Sequence, residues 1–503
     1  MLCRRKECHP VLYVMNVRVQ LTELTLSTGR TATLNDIPEG ELDRLADFGV
    51  DFLWLIGVWH TGDSSRKVAR DYEGLQSVYK QTLSDFSSED VLGSPYAIAE
   101  YSFDSLLGDE DQLLLFRERL SKRGIRLILD FIVNHTGLDH RWVYEHPEYY
   151  IQGKIYDIEQ APNDFFQVET SMGRKIIAHG KDPFFSPWTD TAQLNLSSNI
   201  VQEELRRELL NIAKHCDGVR CDMAMLSLQT IIQKTWGDRP LSSIVTQLDK
   251  SDFWDTAIRE VKKNNPDFIF IAEAYWDTEY KLRTLGFDYT YDKTLHNRLI
   301  YENGRAVYAH LKADVAWQEQ TVRFLENHDE ERAAHALSFN RHVAAAVIFS
   351  TLPGMLLIHD GQFEGRKIKH PVQLRRRCKE PVDKIVHFFY EKLFHTLKEH
   401  KVRYGSWMLS EVRPAWEGNS TWENFIAYTW QGDDHSKKII IVNYGATQGQ
   451  CYVYITGLEF MDNEIIFEDI FGHEQYIRHK DEVIEKGIYM DIPAYAFHVF
   501  AVN

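Results

Sequence analysis

Short apolar runs, each ended by a small polar cluster, recur along this 503-residue chain. Ile125–Leu129, Phe268–Ile271 and Thr321–Leu325 are largely branched or aromatic and too short for helices, so they predict strands buried on both faces. Val11–Val17 and Phe52–Ile56 read the same way, the second closed by Gly57. Between such runs the apolar residues fall at helical spacing: Pro38–Phe48 (with acids in its first turn), Gln112–Arg123, Val201–Cys216, a stretch near Leu226–Lys234, and Phe253–Lys263. Strand–helix alternation of this kind predicts an α/β fold with parallel pairing. Val343–Ser350, Leu352–Ile358 and the loop with Gly361-Gln362 supply a last helix and strand, and Val382–His400 a long amphipathic closing helix. Beyond about Arg403 the period changes to two, in Phe425–Trp430, Lys438–Val442 and Cys451–Ile455, which predicts an antiparallel β-sandwich. Between His135 and Asn195 the pattern lapses into His, Asp, Pro, Gly and aromatic residues. A structureless loop of that length is out of place in a compact fold, so the segment predicts a small inserted subdomain.

The polar clusters carry the chemistry. In order they are Asp130-Phe-Ile-Val-Asn134-His135, Gly218-Val-Arg220-Cys-Asp222, Ile271-Ala-Glu273 and Phe324-Leu-Glu-Asn327-His328-Asp329. Carboxylates at the ends of several parallel strands converge on the carboxyl-terminal mouth of a β/α barrel. Paired acids at such a mouth predict glycoside chemistry, in which one carboxyl protonates the leaving group and another stabilises the sugar. Arg220 lies two residues before Asp222 and so on the same face of its strand, where it can hold that carboxylate ionised. Glu273 sits between Phe268–Ala272 and Ala274-Tyr275-Trp276, dry surroundings that raise a carboxyl pKa and keep its proton. Each cluster also has a plainer reading, an Arg–Asp pair at a strand end or an Asx-turn at Asn327, and only the four together outweigh it.

The four signatures, in this order, resemble the sequence regions of the α-amylase family of retaining glycosidases and transglycosidases, from Leu12 to the end of the chain. The resemblance implies a (β/α)8 TIM barrel with a subdomain inserted after strand 3 and a C-terminal antiparallel β-sandwich. The limits are then 1–134 and 196–402 for the barrel, 135–195 for the insert and 403–503 for the sandwich. It makes Asp222 the nucleophile, Glu273 the general acid and Asp329 the third carboxylate, which grips the ring hydroxyls as the sugar flattens. His135 and His328 would donate to sugar hydroxyls, Asp130 would brace Arg220, and Tyr96, in Ser94-Pro-Tyr-Ala, would stack on the ring. Many amylases carry Lys-His shortly after the nucleophile; here Met223-Ala-Met-Leu226 stands instead, which favours shorter glucans over starch. Ala224 is expected beneath the accepting sugar, where a small side chain suits α-1,4 linkages. No cofactor is required, and a calcium ion is admitted with Asn134 matching one ligand and Asp182 or Asp190 as others. Calcium takes six to eight oxygens. The expected activity is hydrolysis of α-glucosidic bonds in maltooligosaccharides or related glucans. A transglycosidase (a trehalose-forming mutase or glucanotransferase) would use the same three carboxylates with a sugar as acceptor. A non-catalytic sugar-binding subunit is a further reading, opposed by the presence of all three acids.

Composition narrows the partners. Lys and Arg number 57 against 74 Asp and Glu, a formal net charge of -17 that repels nucleic acid and anionic membranes and suits a neutral oligosaccharide. No apolar run is long enough to span a bilayer. The six cysteines form no paired framework or Cys-x-x-Cys spacing, and the basic start lacks the apolar core and cleavage site of a secretory signal, so a cytoplasmic location is expected. Nothing in the sequence specifies an oligomeric state.

Overall fold

The computed structural model describes residues 9–242, 252–434, 436–458 and 462–502. Cys3, Cys8 and the basic start lie outside the described residues. Eight strands close a barrel: β1 (Val11–Asn16), β2 (Phe52–Ile56), β3 (Arg126–Ile132), β4 (Gly218–Asp222), β5 (Ile269–Ala272), β6 (Tyr289–Tyr291), β7 (Thr321–Arg323) and β8 (Met355–His359). They follow one another around the barrel in chain order, all parallel, with β8 returning to β1. Side chains of one parity fill the interior, among them Leu12, Val14, Trp54, Ile128, Ile271 and Leu357; the other parity, including Tyr13, Leu53 and Leu129, packs against the helices. This two-sided burial is why the strands read as unbroken apolar runs.

The register sets the site. Arg220 of β4 pairs with Asp130 of β3 on one side and Ile271 of β5 on the other. Cys221 pairs with Ala272, so Asp222 and Glu273 leave their strands side by side. Gly218 opens β4 because a Cβ there would lie 2.5 Å from the Ile269 carbonyl oxygen.

Several elements differ from expectation. β1 stops at Asn16, whose side chain accepts the Val19 N–H and caps a helix, Val17–Thr28, that the branched residues continuing past Asn16 concealed. β6 has three residues and was too short to stand out, and the helices Lys293–Tyr301 and Gly304–Leu311 after it were not read from the sequence. After β4 a single turn, Ala224–Ser227, precedes the helix Gln229–Trp236. Between β2 and the helix Glu110–Ser121 the chain makes an unforeseen excursion: a ribbon of Trp59–Thr61 with Ile98–Phe103, and helices Asp63–Asp71 and Glu73–Thr82.

After β3, His135–Gly137 pairs antiparallel with Thr191–Gln193. Between them lie a hairpin, Phe165–Thr170 with Gly173–Ala178, and the short helices Arg141–Glu145 and Ile155–Gln160. At the C-terminal end a six-stranded and a three-stranded antiparallel sheet share a core that includes Phe425, Ile441, Val453, Phe467 and Ile488. The larger sheet rests on the barrel helix Phe339–Thr351, where Trp430 donates to the Thr351 carbonyl at 2.8 Å. Among the described residues no helix is long and apolar enough to cross a membrane.

Candidate active site

A cleft of about 750 Å³ opens at the carboxyl-terminal mouth of the barrel. Tyr96, His135, Asp222, Glu273, His328 and Asp329 all line it. Asp130 and Arg220 lie among them but buried, at 3% and 0% exposure. The sequence-predicted site residues are therefore brought together, and Arg220 is their hub. Its Nη1 donates to Asp222 Oδ1 at 2.8 Å and to Asp130 Oδ1 at 3.4 Å, while Nη2 meets Glu273 Oε2 at 2.8 Å. Its guanidinium faces the rings of Trp54 and Tyr96 at 5.0 and 5.3 Å, and Nε donates to Tyr291 Oη at 3.4 Å.

One cation therefore serves three buried carboxyls, too little to keep all of them ionised in a medium of low dielectric. Burial pushes Asp130 and Glu273 each up to about 7, with Arg220 pulling both back. It raises Asp222 as well, again against Arg220. Asp130 and Glu273 therefore hold protons into the neutral range. The donors around Glu273 are specific. Met223, in a left-handed turn at φ 43° directly after Asp222, aims its N–H at Glu273 Oε2 (2.6 Å), and the Tyr275 hydroxyl donates to Oε1 (2.9 Å).

Burial holds His135 down at about 4 and His328 well below the ordinary imidazole range, so both are neutral donors or acceptors. His328 Nε2 lies 2.7 Å from the Tyr96 hydroxyl and 3.1 Å from Asp329 Oδ2. Asp329 is half exposed to the cleft. Its loop is an Asx-turn, with Asn327 Oδ1 accepting the N–H groups of Asp329 and Glu330 at 2.8 and 3.0 Å. Turn and cleft-lining acid are thus the same feature. Below the loop, Glu326 takes Arg332 Nη1 at 2.6 Å and the Ala333 N–H at 2.7 Å, and Arg332 also donates to the Asp360 carbonyl.

One expectation changes. Ala224 is fully buried, its carbonyl accepting Trp254 Nε1 at 2.9 Å; the left-handed turn at Met223 rolls it into the core, and Met223 lines the cleft instead. The oxygens assigned to calcium are also otherwise engaged. Gln193 Nε2 donates to the main-chain and side-chain oxygens of Asn134, both at 2.9 Å, and to the Leu194 carbonyl at 3.1 Å. Asp182 Oδ1 accepts the N–H groups of Phe184 and Phe185, and Asp190 meets Ser65. Among the described residues no three His, Cys, Asp or Glu side chains gather as a metal set. Gln193 Nε2 thus bridges the two oxygens of Asn134.

Trp54, Tyr275, Tyr291 and Glu326 were not singled out from the sequence. Trp54 donates to Asp130 Oδ2 at 3.1 Å. The available signal was position, since Trp54 and Tyr291 lie on barrel strands and Tyr275 follows Glu273 by two.

The α-amylase catalytic-domain model matches residues 31–382. The chain belongs to the α-amylase family. Among curated proteins it is 23% identical over 365 residues to "Alpha-amylase 3" of Dictyoglomus thermophilum, covering 68% of this chain and 62% of that enzyme. The chain thus spans somewhat under two thirds of that relative's length. It is 23% identical over 361 residues to a 4-α-glucanotransferase of Thermotoga maritima, covering 65% of this chain and 70% of that enzyme. Among solved structures, a noncanonic maltogenic α-amylase of Thermotoga neapolitana superposes with a TM-score of 0.68 over 98% of both chains at 18% identity, a likeness of fold.

Proposed function

We propose that this protein is a retaining glycosidase acting on α-glucosidic bonds, mainly α-1,4, of maltooligosaccharides or related glucans. The observation that carries the reading is the pair of carboxylates, Asp222 and Glu273, each 2.8 Å from a different nitrogen of one buried guanidinium. Two carboxyls gathered on one guanidinium suit the retaining geometry, in which a separation of ~5–5.5 Å leaves no room for an attacking water. Glu273 gives its proton to the glycosidic oxygen, Asp222 attacks the anomeric carbon, and the ionised Glu273 then draws a proton from water. Asp329 and the neutral His135 and His328 hold the ring hydroxyls, and Tyr96 supplies a ring face. Binding that strengthens as the sugar flattens raises the rate rather than affinity alone. Glucanotransfer is the second reading, favoured by the Thermotoga maritima relative; it differs only in the acceptor of the second step. The four described cysteines are free, which fits a reducing compartment such as the cytoplasm.

The test is to incubate the purified protein with maltose-, isomaltose- and trehalose-type sugars, follow products by chromatography, and follow the first minutes by proton NMR. The α-anomer should appear first, and Asp222→Asn should be inactive while folding normally. A β-anomer at early times, or ordinary activity in Asp222→Asn, would overturn the reading.

A further inference from the structure

The two oxygens of Glu273 are not equivalent. Oε2 accepts from the Met223 N–H at 2.6 Å and faces an Arg220 Nη2–H at 2.8 Å. Both donors keep their protons at any working pH, so Oε2 has no free lone pair for a proton of its own. An acid proton on Glu273 must therefore sit on Oε1. The hydrogen-bond partner of Oε1 among the described residues is the Tyr275 hydroxyl, at 2.9 Å. Burial and the neighbouring carboxylates push the Tyr275 pKa well above its ordinary value, so the hydroxyl keeps its proton. A hydroxyl can both accept and donate, and it rotates between the two.

The backbone holds Tyr275 to this task. Its carbonyl accepts both the Thr278 N–H and the Thr278 hydroxyl, at 3.3 and 2.6 Å. The two residues between, Trp276 and Asp277, lie at φ 61° and 59°, a left-handed pair that side chains bearing a Cβ rarely adopt. Strain of this kind persists where the surroundings fix the conformation, and in this turn the Tyr275 hydroxyl reaches Glu273.

We propose that Tyr275 is a positioning residue for the general acid. Its hydroxyl accepts a hydrogen bond from the protonated Oε1 while the site is empty, and donates to Oε1 once the proton has gone. This rests on the reading of Glu273 as the acid. In the glycosylation step the Oε1–H bond breaks and its proton joins the glycosidic oxygen. The C1–O bond breaks with its electron pair leaving on that oxygen, and an Asp222 oxygen bonds C1. Tyr275 loses no proton; it rotates and stabilises the carboxylate just formed. Other groups face Glu273: Arg220 and Asp222 from β4, Asp130 from β3, Tyr291 from β6, His135 after β3, and His328 and Asp329 after β7. They set the common level of its pKa, whereas Tyr275 alone among them reaches Oε1.

Tyr275→Phe removes the hydroxyl and keeps the ring. Losing a donor to the charged form raises the Glu273 pKa, so the alkaline limb of kcat/KM should move to higher pH. With an unactivated maltooligosaccharide kcat should fall about 10- to 100-fold. With the dinitrophenyl glycoside of the same sugar, whose departure needs no proton, the fall should be less than about threefold. Replacing Tyr275 by difluorotyrosine, a stronger donor of nearly the same shape, should move the limb the opposite way and tests the idea even if the phenylalanine variant folds poorly. An unmoved limb in both variants, with the loss confined to KM, would show Tyr275 to be only a wall of the cleft. Glu273→Gln separates the two readings: it should abolish the limb, and a limb kept at its parental pH would overturn the acid assignment together with this one.

Discussion

Glu326 is the place where one substitution should weaken both the fold and the loop that carries His328 and Asp329. Its carboxylate is 1% exposed and is held by Arg332, the Ala333 N–H and, at 3.5 Å, His359. Burial by itself would raise its pKa, but Arg332 and His359 override that and bring it from 4.5 to about 2. A drop of that size corresponds to about 3 kcal/mol of native-state stabilisation. Because the native pKa is the lower one, the stabilisation is complete above the unfolded value near 4.5 and is lost as pH falls toward 2. Glu326→Gln preserves shape but leaves Arg332 as a buried cation without its counter-charge, the kind of break that costs ~3–5 kcal/mol. For a barrel of this size that is about 4 °C in Tm. Differential scanning calorimetry of parent and variant should show that gap at pH 7. It should shrink by roughly a quarter at pH 4 and by more than half at pH 3, as the parental carboxyl protonates and comes to resemble the amide. A gap below about 1 °C at pH 7, or one that widens as pH falls, would refute the reasoning.

Two further outcomes follow. A chelator should leave Tm within about 1 °C, whereas Gln193→Ala, which strips the donor from three buried oxygens, should cost ~2–4 kcal/mol; a chelator-induced fall of several degrees that added calcium restores would contradict this. Ala224→Val should lower Tm through overpacking of ~1–3 kcal/mol and leave the maltose-to-isomaltose rate ratio unchanged, since Ala224 is buried in the core and does not line the cleft; a shifted ratio at unaltered Tm would return Ala224 to the substrate site.

The barrel was legible where strands are buried on both faces and end in charged residues, as at Asp130, Asp222 and Glu273. It was illegible where strands are short, as at Tyr289–Tyr291, or where branched residues continue past the strand into a helix, as at Val11–Leu21. The site's polar atoms were readable as residue types, but their pairing was not. That Asp222 and Glu273 share Arg220 follows from strand register, and that Ala224 turns inward follows from a single left-handed residue at Met223. The helices Asp63–Asp71 and Glu73–Thr82, which bring Val68, Tyr72 and Leu75 to the cleft wall, gave no polar signature. That Gln193 donates to three oxygens at once is invisible until they are seen together.

The ribbon formed by His135–Gly137 and Thr191–Gln193 has a consequence of another kind. It makes the stretch from residue 138 to 190 a loop whose two ends leave and re-enter the barrel as adjacent hydrogen-bonded strands, with His135 opposite Gln193. Segments with neighbouring ends can be lengthened, shortened or exchanged with little effect on the register of the host. One wall of the cleft, including Trp188 and Asp190, is carried on that stretch, while the acids stand on the barrel. On the proposed function, part of the sugar-facing wall can therefore be exchanged by graft or recombination at Gly137 and Thr191 while the acids keep their places on the barrel.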